Sequence, residues 1–349
     1  MHGAIRNRTA WLARLADSEW QRRGTQNTDG SVFRHRKFTW NGGDGGKEAL
    51  KDAPGLAKAA GHGDSSAPTP YSLPCSMSSL PDWLAVIILG IIEGVTEFLP
   101  ISSTGHLLIP QNLGWLPKQG EVFDVVIQSG AVIAVLAVFT NRVKQFATSL
   151  NQPDTRDYLL KLFGAFCVTS AGGLLIKKFD IELPETVPPV AWATFIGAFV
   201  IFAVEAWRKD HRGTAEITWT VVVAVGLAQL LAAVFPGTSR SGASILMAMA
   251  LGMARPAATE FSFLLGVPTL MAAGAFKILS AFKDGEAAHL DWAMLGLGTV
   301  VSAISAFVVV RWLIHFVQSH TFNGFAWYRL LMGGALLAYV YWGQAPAAP

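Results

Sequence analysis

Charge is scarce in this sequence: only 15% of its 349 residues are Asp, Glu, Lys or Arg, where a soluble domain usually carries about 25%. The deficit lies almost wholly beyond about residue 80. Thr186 to Val204, Thr218 to Ser239 and Trp292 to Val310 contain no charged residue at all. Buried helices of a large soluble protein would show polar faces at 3.6-residue spacing, whereas these runs are apolar all round. A hydrocarbon core of roughly 30 Å takes about 20 such residues in a helix, so the chain is expected to cross a membrane. Cysteine is nearly missing too. Cys75 and Cys167 fit no metal spacing, and the second sits in an apolar run, which excludes a disulfide framework. The net charge of +3 comes with no basic stripe interleaved with aromatics, so a nucleic-acid partner is excluded.

Residues 1–76 mix Arg, Gly, Asp, Ser and Pro without a sustained apolar period and read as a disordered, basic N-terminal extension. Met77 opens MSSLPDWLAVIILG, which reads as a natural start, with the preceding segment an upstream extension and 77–349 an integral membrane domain. The fold expected for that domain is all-α and polytopic. About eight spanning helices are expected, near 82–99, 121–140, 157–176, 188–207, 217–235, 258–281, 291–316 and 325–343. Two stretches, 102–113 and 239–252, are too short to span and read as re-entrant helices.

Each short stretch follows a proline in an apolar setting, Phe98-Leu99-Pro100 and Val234-Phe235-Pro236. Proline removes a donor and breaks the helical ladder. Broken backbone at membrane depth is tolerated only where protein or a polar cavity covers it. The two breaks also match at an offset of 136: Gly90 with Gly226, Glu93 with Gln229, Pro100 with Pro236, Ser103 with Ser239 and Gly130 with Gly266. Paired interrupted segments in two halves point to a midplane site. Loop charge adds orientation. The 141–156 loop carries Arg142, Lys144 and Arg156 against Asp154, and the 208–216 loop carries Arg208, Lys209 and Arg212 against two acids. Acids outnumber lysines in 177–187 and 282–291. The positive-inside rule puts the first two loops in the cytoplasm and makes the repeats inverted. That orientation conflicts with the charge of the Arg-rich N-terminal segment, which it leaves outside; the reading that resolves the conflict is that the extension is not part of the mature protein.

Two clusters at the breaks carry the chemistry. EGVTEFLPISSTGH, 93–106, places Glu93 and Glu97 four apart on one helix face and Ser102, Ser103, Thr104 and His106 just past the break. PGTSRSGAS, 236–244, sets Arg240 between Ser239 and Ser241, with Gly237 and Gly242 allowing close backbone approach. Singly these are ordinary features: serines act as interhelical glue, and a lone Arg or His snorkels. Together, at two matched breaks, they describe a phosphate site, because Arg offers a planar fork and helix N-termini offer free N–H groups. Two carboxylates repel phosphate unless a divalent cation bridges them, so Mg²⁺ or Ca²⁺ on Glu93 and Glu97 is expected. Ser102, Thr104, Ser239, Ser241, Gly237 and Gln229 are the expected substrate contacts. Ser103 and His106, three apart, lie on one face if a helical turn starts after Pro100, so that imidazole takes the serine proton. Attack by His106 itself, or by metal-activated water, remains open.

At these residues the chain resembles the undecaprenyl-diphosphate phosphatase, or bacitracin-resistance, family, from about Met77 to the C-terminus. The resemblance rests on the two clusters, on FDVVIQSG at 123–130 and on ATEFSFLLGVP at 258–268. It implies a multi-pass enzyme of the bacterial inner membrane that trims a polyprenyl diphosphate lipid to the monophosphate, recycling the carrier for peptidoglycan. By motif position it implies metal-associated acids at Glu93 and Glu97, and an essential serine, histidine and arginine at Ser103, His106 and Arg240. Ser244 stands where the family pattern often has Thr, which keeps the hydroxyl. The rival reading is an inverted-repeat transporter or lipid-carrier flippase, which would have no need of a nucleophile beside an arginine.

Overall fold

A computed structural model describes residues 80–179, 186–209 and 213–342, so the expected extension 1–76 lies outside the described residues. Within them the chain is all-helical, with one isolated bridge between Thr214 and Met253. The helices are α1 Asp82–Thr96, α2 Ser103–Asn112, α3 Glu121–Val138, α4 Thr140–Thr148, α5 Pro153–Lys178, α6 Val187–Arg208, α7 Trp219–Val234, α8 Arg240–Ala250, α9 Arg255–Lys283, α10 Trp292–Ser319 and α11 Asn323–Trp342. A 3-10 turn, Glu286–His289, joins α9 to α10.

Every expected helical segment is helical. α4 is an addition, formed where the 141–156 loop was expected. Its nine residues bury none of their side chains, so no apolar period marks it in the sequence. Five helices, α3, α5, α6, α9 and α10, are long and apolar enough to cross a membrane. α1 and α7, at 15 and 16 residues, rise only about 22–24 Å, short of a hydrocarbon core. Each stops ahead of a break and is followed by a 10- or 11-residue helix.

α10 packs against both α1 and α3, and α9 packs against α3. Small residues permit the close seam. A Cβ at Gly94 would lie 2.3 Å from the Ser302 carbonyl, and one at Gly130 would lie 2.2 Å from that of Thr299. Alanine at either position would force α10 away, which is how small residues let apolar helices associate where lipid removes the hydrophobic driving force. α5 pairs with α7, and α6 with α11. The outer faces are apolar: Phe163, Leu174, Leu279, Leu331 and Trp342 are all more than half exposed. Patches of that size on a water-facing surface would aggregate, whereas against lipid they cost nothing.

Candidate active site

The site is built at the two breaks. Pro100 and Pro236 end the preceding helical stretches, and α2 and α8 restart on serine caps, Ser102 and Ser239. Both serines hold positive φ, 74° and 73°, and their side chains accept from Gly105 N at 3.3 Å and Gly242 N at 3.1 Å. A cap of this kind contributes about 1 kcal/mol. The left-handed backbone of a residue with a Cβ costs about 1–3 kcal/mol, so surrounding structure must hold it. The matched pair is therefore Ser102 with Ser239, not Ser103 with Ser239 as the constant offset implies. Gly237, at φ 97°, accommodates the extra residue between Pro236 and its cap. With that residue counted, Ser103 stands opposite Arg240.

What holds both strained caps is Arg329. It is 1% exposed, and its guanidinium donates to five backbone carbonyls. Two belong to α6, Ala193 at 3.0 Å and Thr194 at 3.2 Å. One belongs to the first break, Pro100 at 3.1 Å, and two to the second, Gly237 and Thr238 at 3.0 Å each. A Cβ at Gly197 would sit 1.9 Å from Nη2, so that glycine makes the room. Ser241 adds a direct tie between the breaks, donating to the carbonyls of Glu97 at 3.1 Å and Leu99 at 3.0 Å. Ser239 also reaches Leu99 O, at 3.3 Å.

Between the breaks lies a cavity of about 240 Å³ lined by Glu97, Ser102, Ser103, Thr104, Gln229, Gly237, Ser239 and Arg240, all expected site residues. Gln128, Thr169 and Thr269 complete its polar wall. At its centre one carboxylate joins the two clusters: Ser103 Oγ donates to Glu97 Oε2, and Arg240 Nη2 donates to Glu97 Oε1 at 2.8 Å. Arg240 Nη1 reaches Thr269 Oγ1 at 3.2 Å, leaving Nε buried and without a partner among the described residues.

Three expected residues stand off the cavity wall. Ser241 spends its hydroxyl on the backbone ties. Glu93 is fully buried, and among the described residues neither carboxylate oxygen has a hydrogen-bond partner. His106 is turned away from Ser103. The helical turn exists, but Nδ1 meets Ser102 O at 2.6 Å and Nε2 meets the Tyr328 hydroxyl at 2.7 Å. A carbonyl can only accept, so Nδ1 carries the proton and Nε2 of the neutral ring accepts from the phenol. Ser103 finds its acceptor in Glu97 instead.

Thr269, Gln128, Thr169 and Arg329 are the residues that sequence reasoning missed. Arg329 had a signal as the single charge in the apolar stretch FAWYRLLMGG, and Gln128 as a polar residue inside FDVVIQSG. The donor set suits a hard cation in part. Among the described residues Glu93 and Glu97 offer carboxylates and Gln229 a buried amide with no partner, yet no group of three or more His, Cys, Asp or Glu side chains is placed to hold a metal. Phosphate oxygens would have to complete such a site, the usual arrangement for Mg²⁺.

Residues 86–335 match the family model described as bacitracin resistance protein BacA. The chain is 48% identical over 260 residues to the undecaprenyl-diphosphatase of Rhizobium johnstonii (strain DSM 114642 / LMG 32736 / 3841), covering 73% of this chain and 96% of the relative. To the undecaprenyl-diphosphatases of Xylella fastidiosa (strain 9a5c) and Xanthomonas oryzae pv. oryzae (strain PXO99A) it is 45% and 44% identical, over 97% and 98% of their lengths and 73% and 75% of its own. The chain belongs to the BacA bacitracin resistance protein family.

Proposed function

We propose that this protein hydrolyses undecaprenyl diphosphate to undecaprenyl phosphate and phosphate, returning the lipid carrier to peptidoglycan synthesis and conferring bacitracin resistance. The observation that carries the reading is the single Glu97 carboxylate shared by the Ser103 hydroxyl and the Arg240 guanidinium inside a membrane-buried cavity. Transport alone leaves that contact without a use.

Arg240 takes the terminal phosphate, with Nε still available and Thr269 fixing the plane of the fork. Glu97 takes the Ser103 proton as Oγ bonds to the terminal phosphorus. The bond from that phosphorus to the bridging oxygen breaks, and undecaprenyl phosphate leaves. Glu97 passes its proton to the departing undecaprenyl phosphate and takes another from a water that attacks the phosphoserine. The bond from phosphorus to Oγ breaks, Oγ takes the proton back from Glu97, and phosphate is freed. Backbone N–H groups at the starts of α2 and α8 stabilise the charge that develops. Glu93 and Glu97 would hold a divalent cation, Mg²⁺ or Ca²⁺, with Gln229 beside them. Such an ion would supply positive charge against the diphosphate oxygens.

In this reading α2 and α8 are re-entrant helices of two inverted repeats, α1–α3 and α7–α9. Inverted repeats need an odd number of crossings between their starts, so α1 and α7, each short of a hydrocarbon core, turn back through α2 and α8. α3, α5, α6, α9, α10 and α11 then give six spans in place of the eight expected, in a bacterial inner membrane with the loops after α3 and α6 in the cytoplasm. Phosphate release by the purified chain in detergent tests the reaction, and Arg240→Lys tests the grip. Lysine keeps the charge but loses the fork, so turnover should fall at least about a hundred-fold with insertion unchanged. Near-normal turnover by the lysine variant would remove Arg240 from the mechanism.

A further inference from the structure

A second hollow lies beside the site and serves no step above. It is a groove of about 700 Å³ walled by α1, α2 and α11, with Ile88, Ile92, Ile109, Leu113, Met332 and Leu336 among its lining. His106 is the residue of its α2 wall nearest Ser103 along the helix, with Tyr328 hydrogen-bonded to it and stacked at 5.7 Å between ring centroids. α2 connects the two hollows: Ser102, Ser103 and Thr104 face the cavity, while His106, Ile109, Pro110 and Leu113 face the groove. At 1.5 Å of rise per residue, His106 lies only about 4.5 Å along the helix from Ser103.

We infer that this groove holds the isoprene units next to the diphosphate of the substrate lipid, with the His106–Tyr328 pair marking the boundary between its polar head and its apolar chain. The inference rests on the proposed reaction at Ser103. It accounts for two observations together. His106 is held by partners on the groove side rather than by Ser103, and an apolar concavity of ligand size starts one helical turn from the reacting hydroxyl. An ordinary membrane lipid would need no such nearness to the site. A lipid whose terminal phosphorus sits on Ser103 must place its chain somewhere within that distance.

Chain length separates this inference from the reaction beneath it. In detergent, the unaltered protein is assayed with undecaprenyl diphosphate and with isopentenyl diphosphate, beside Ala335→Trp, which projects an indole into the groove from an exposed position. The single five-carbon unit of isopentenyl diphosphate ends short of Ala335, about 10 Å along α11 from Tyr328. Leu331→Trp, on the same helix but outside the groove and 71% exposed, is the control. Ala335→Trp should raise KM for the undecaprenyl substrate at least about ten-fold with kcat little changed, the mark of lost uniform binding, and shift isopentenyl diphosphate much less. Equal shifts for both substrates, or no difference from Leu331→Trp, would overturn the groove assignment while leaving the hydrolase reading in place. Failure of the unaltered protein to hydrolyse either substrate would overturn both. Should Ala335→Trp not insert, photolabelling of the unaltered protein decides. A diazirine on an isoprene near the diphosphate should mark peptides holding Ile88–Ile92 or Met332–Leu336, and labelling confined to other helices rejects the groove.

Discussion

Glu97 and Ser103, six residues apart and on opposite sides of the Pro100 break, are joined by a hydrogen bond from the serine hydroxyl to one carboxylate oxygen. The break makes the contact possible, because an unbroken helix would carry residue 103 more than one turn beyond residue 97. The other oxygen of Glu97 is occupied by Arg240, so this acid orients the nucleophile and couples it to the phosphate-binding side chain.

A base in that position is expected to contribute about 10²–10⁴ to the rate. Glu97→Gln should therefore lower kcat for phosphate release by that order while the protein still inserts and purifies. His106→Gln keeps hydrogen-bonding capacity at the groove and should cost far less. Steady-state kinetics of the two variants side by side decide the matter. If the His106 variant loses as much kcat as the Glu97 variant, the proton does not go to Glu97.

Arg329 makes a prediction of another kind, about stability. Five carbonyls from α6 and both breaks converge on one buried cation, and Arg329→Ala would leave them facing one another without a donor. Breaking such a buried arrangement costs about 3–5 kcal/mol. The alanine variant should melt at a clearly lower temperature in detergent, and Arg329→Lys, which restores three donors in the wrong geometry, should fall between. An unchanged melting temperature for the alanine variant would mean that the breaks hold themselves.

The helices and the two breaks were legible because hydrophobic runs, prolines and misplaced charges are local signals. The register between the breaks was not. A constant offset pairs Ser103 with Ser239, but the folded chain pairs Ser102 with Ser239, and the added residue is absorbed by Gly237 in a backbone conformation that composition alone does not announce. The partner of Ser103 was misjudged for a related reason. Helical spacing brings His106 onto the right side of α2, yet Tyr328, distant in sequence, holds its Nε2 and turns it to the groove. Arg329 was visible as an isolated charge, but its five carbonyl partners are scattered from residue 100 to residue 238.

The sidedness of the bundle rests on loop charge and has a direct test. Thr148, at the end of α4, should face the cytoplasm, and Glu286, in the turn between α9 and α10, should face the opposite side. In a background without Cys75 and Cys167, single cysteines at 148 and 286 should react with an impermeant thiol reagent from opposite faces of sealed vesicles. Labelling of both from one face would rule out the proposed crossing pattern.

The identity of the group that attacks phosphorus is the sharpest test of the mechanism. Ser103 lines the cavity with its proton already directed to a carboxylate, whereas His106 has both ring nitrogens engaged, one by Ser102 and one by Tyr328. A histidine nucleophile would have to leave the phenol and turn toward the cavity, and a serine nucleophile has only to lose a proton along an existing hydrogen bond. Rapid-quench turnover with labelled undecaprenyl diphosphate should therefore trap an acid-stable, alkali-labile adduct that maps to Ser103 and is missing from Ser103→Ala. An acid-labile adduct on His106 would reverse the assignment. If no adduct forms and the transfer proceeds with net inversion at phosphorus, the mark of a single displacement, water attacks directly, and Glu97 then serves as base to water with Ser103 only positioning the phosphate.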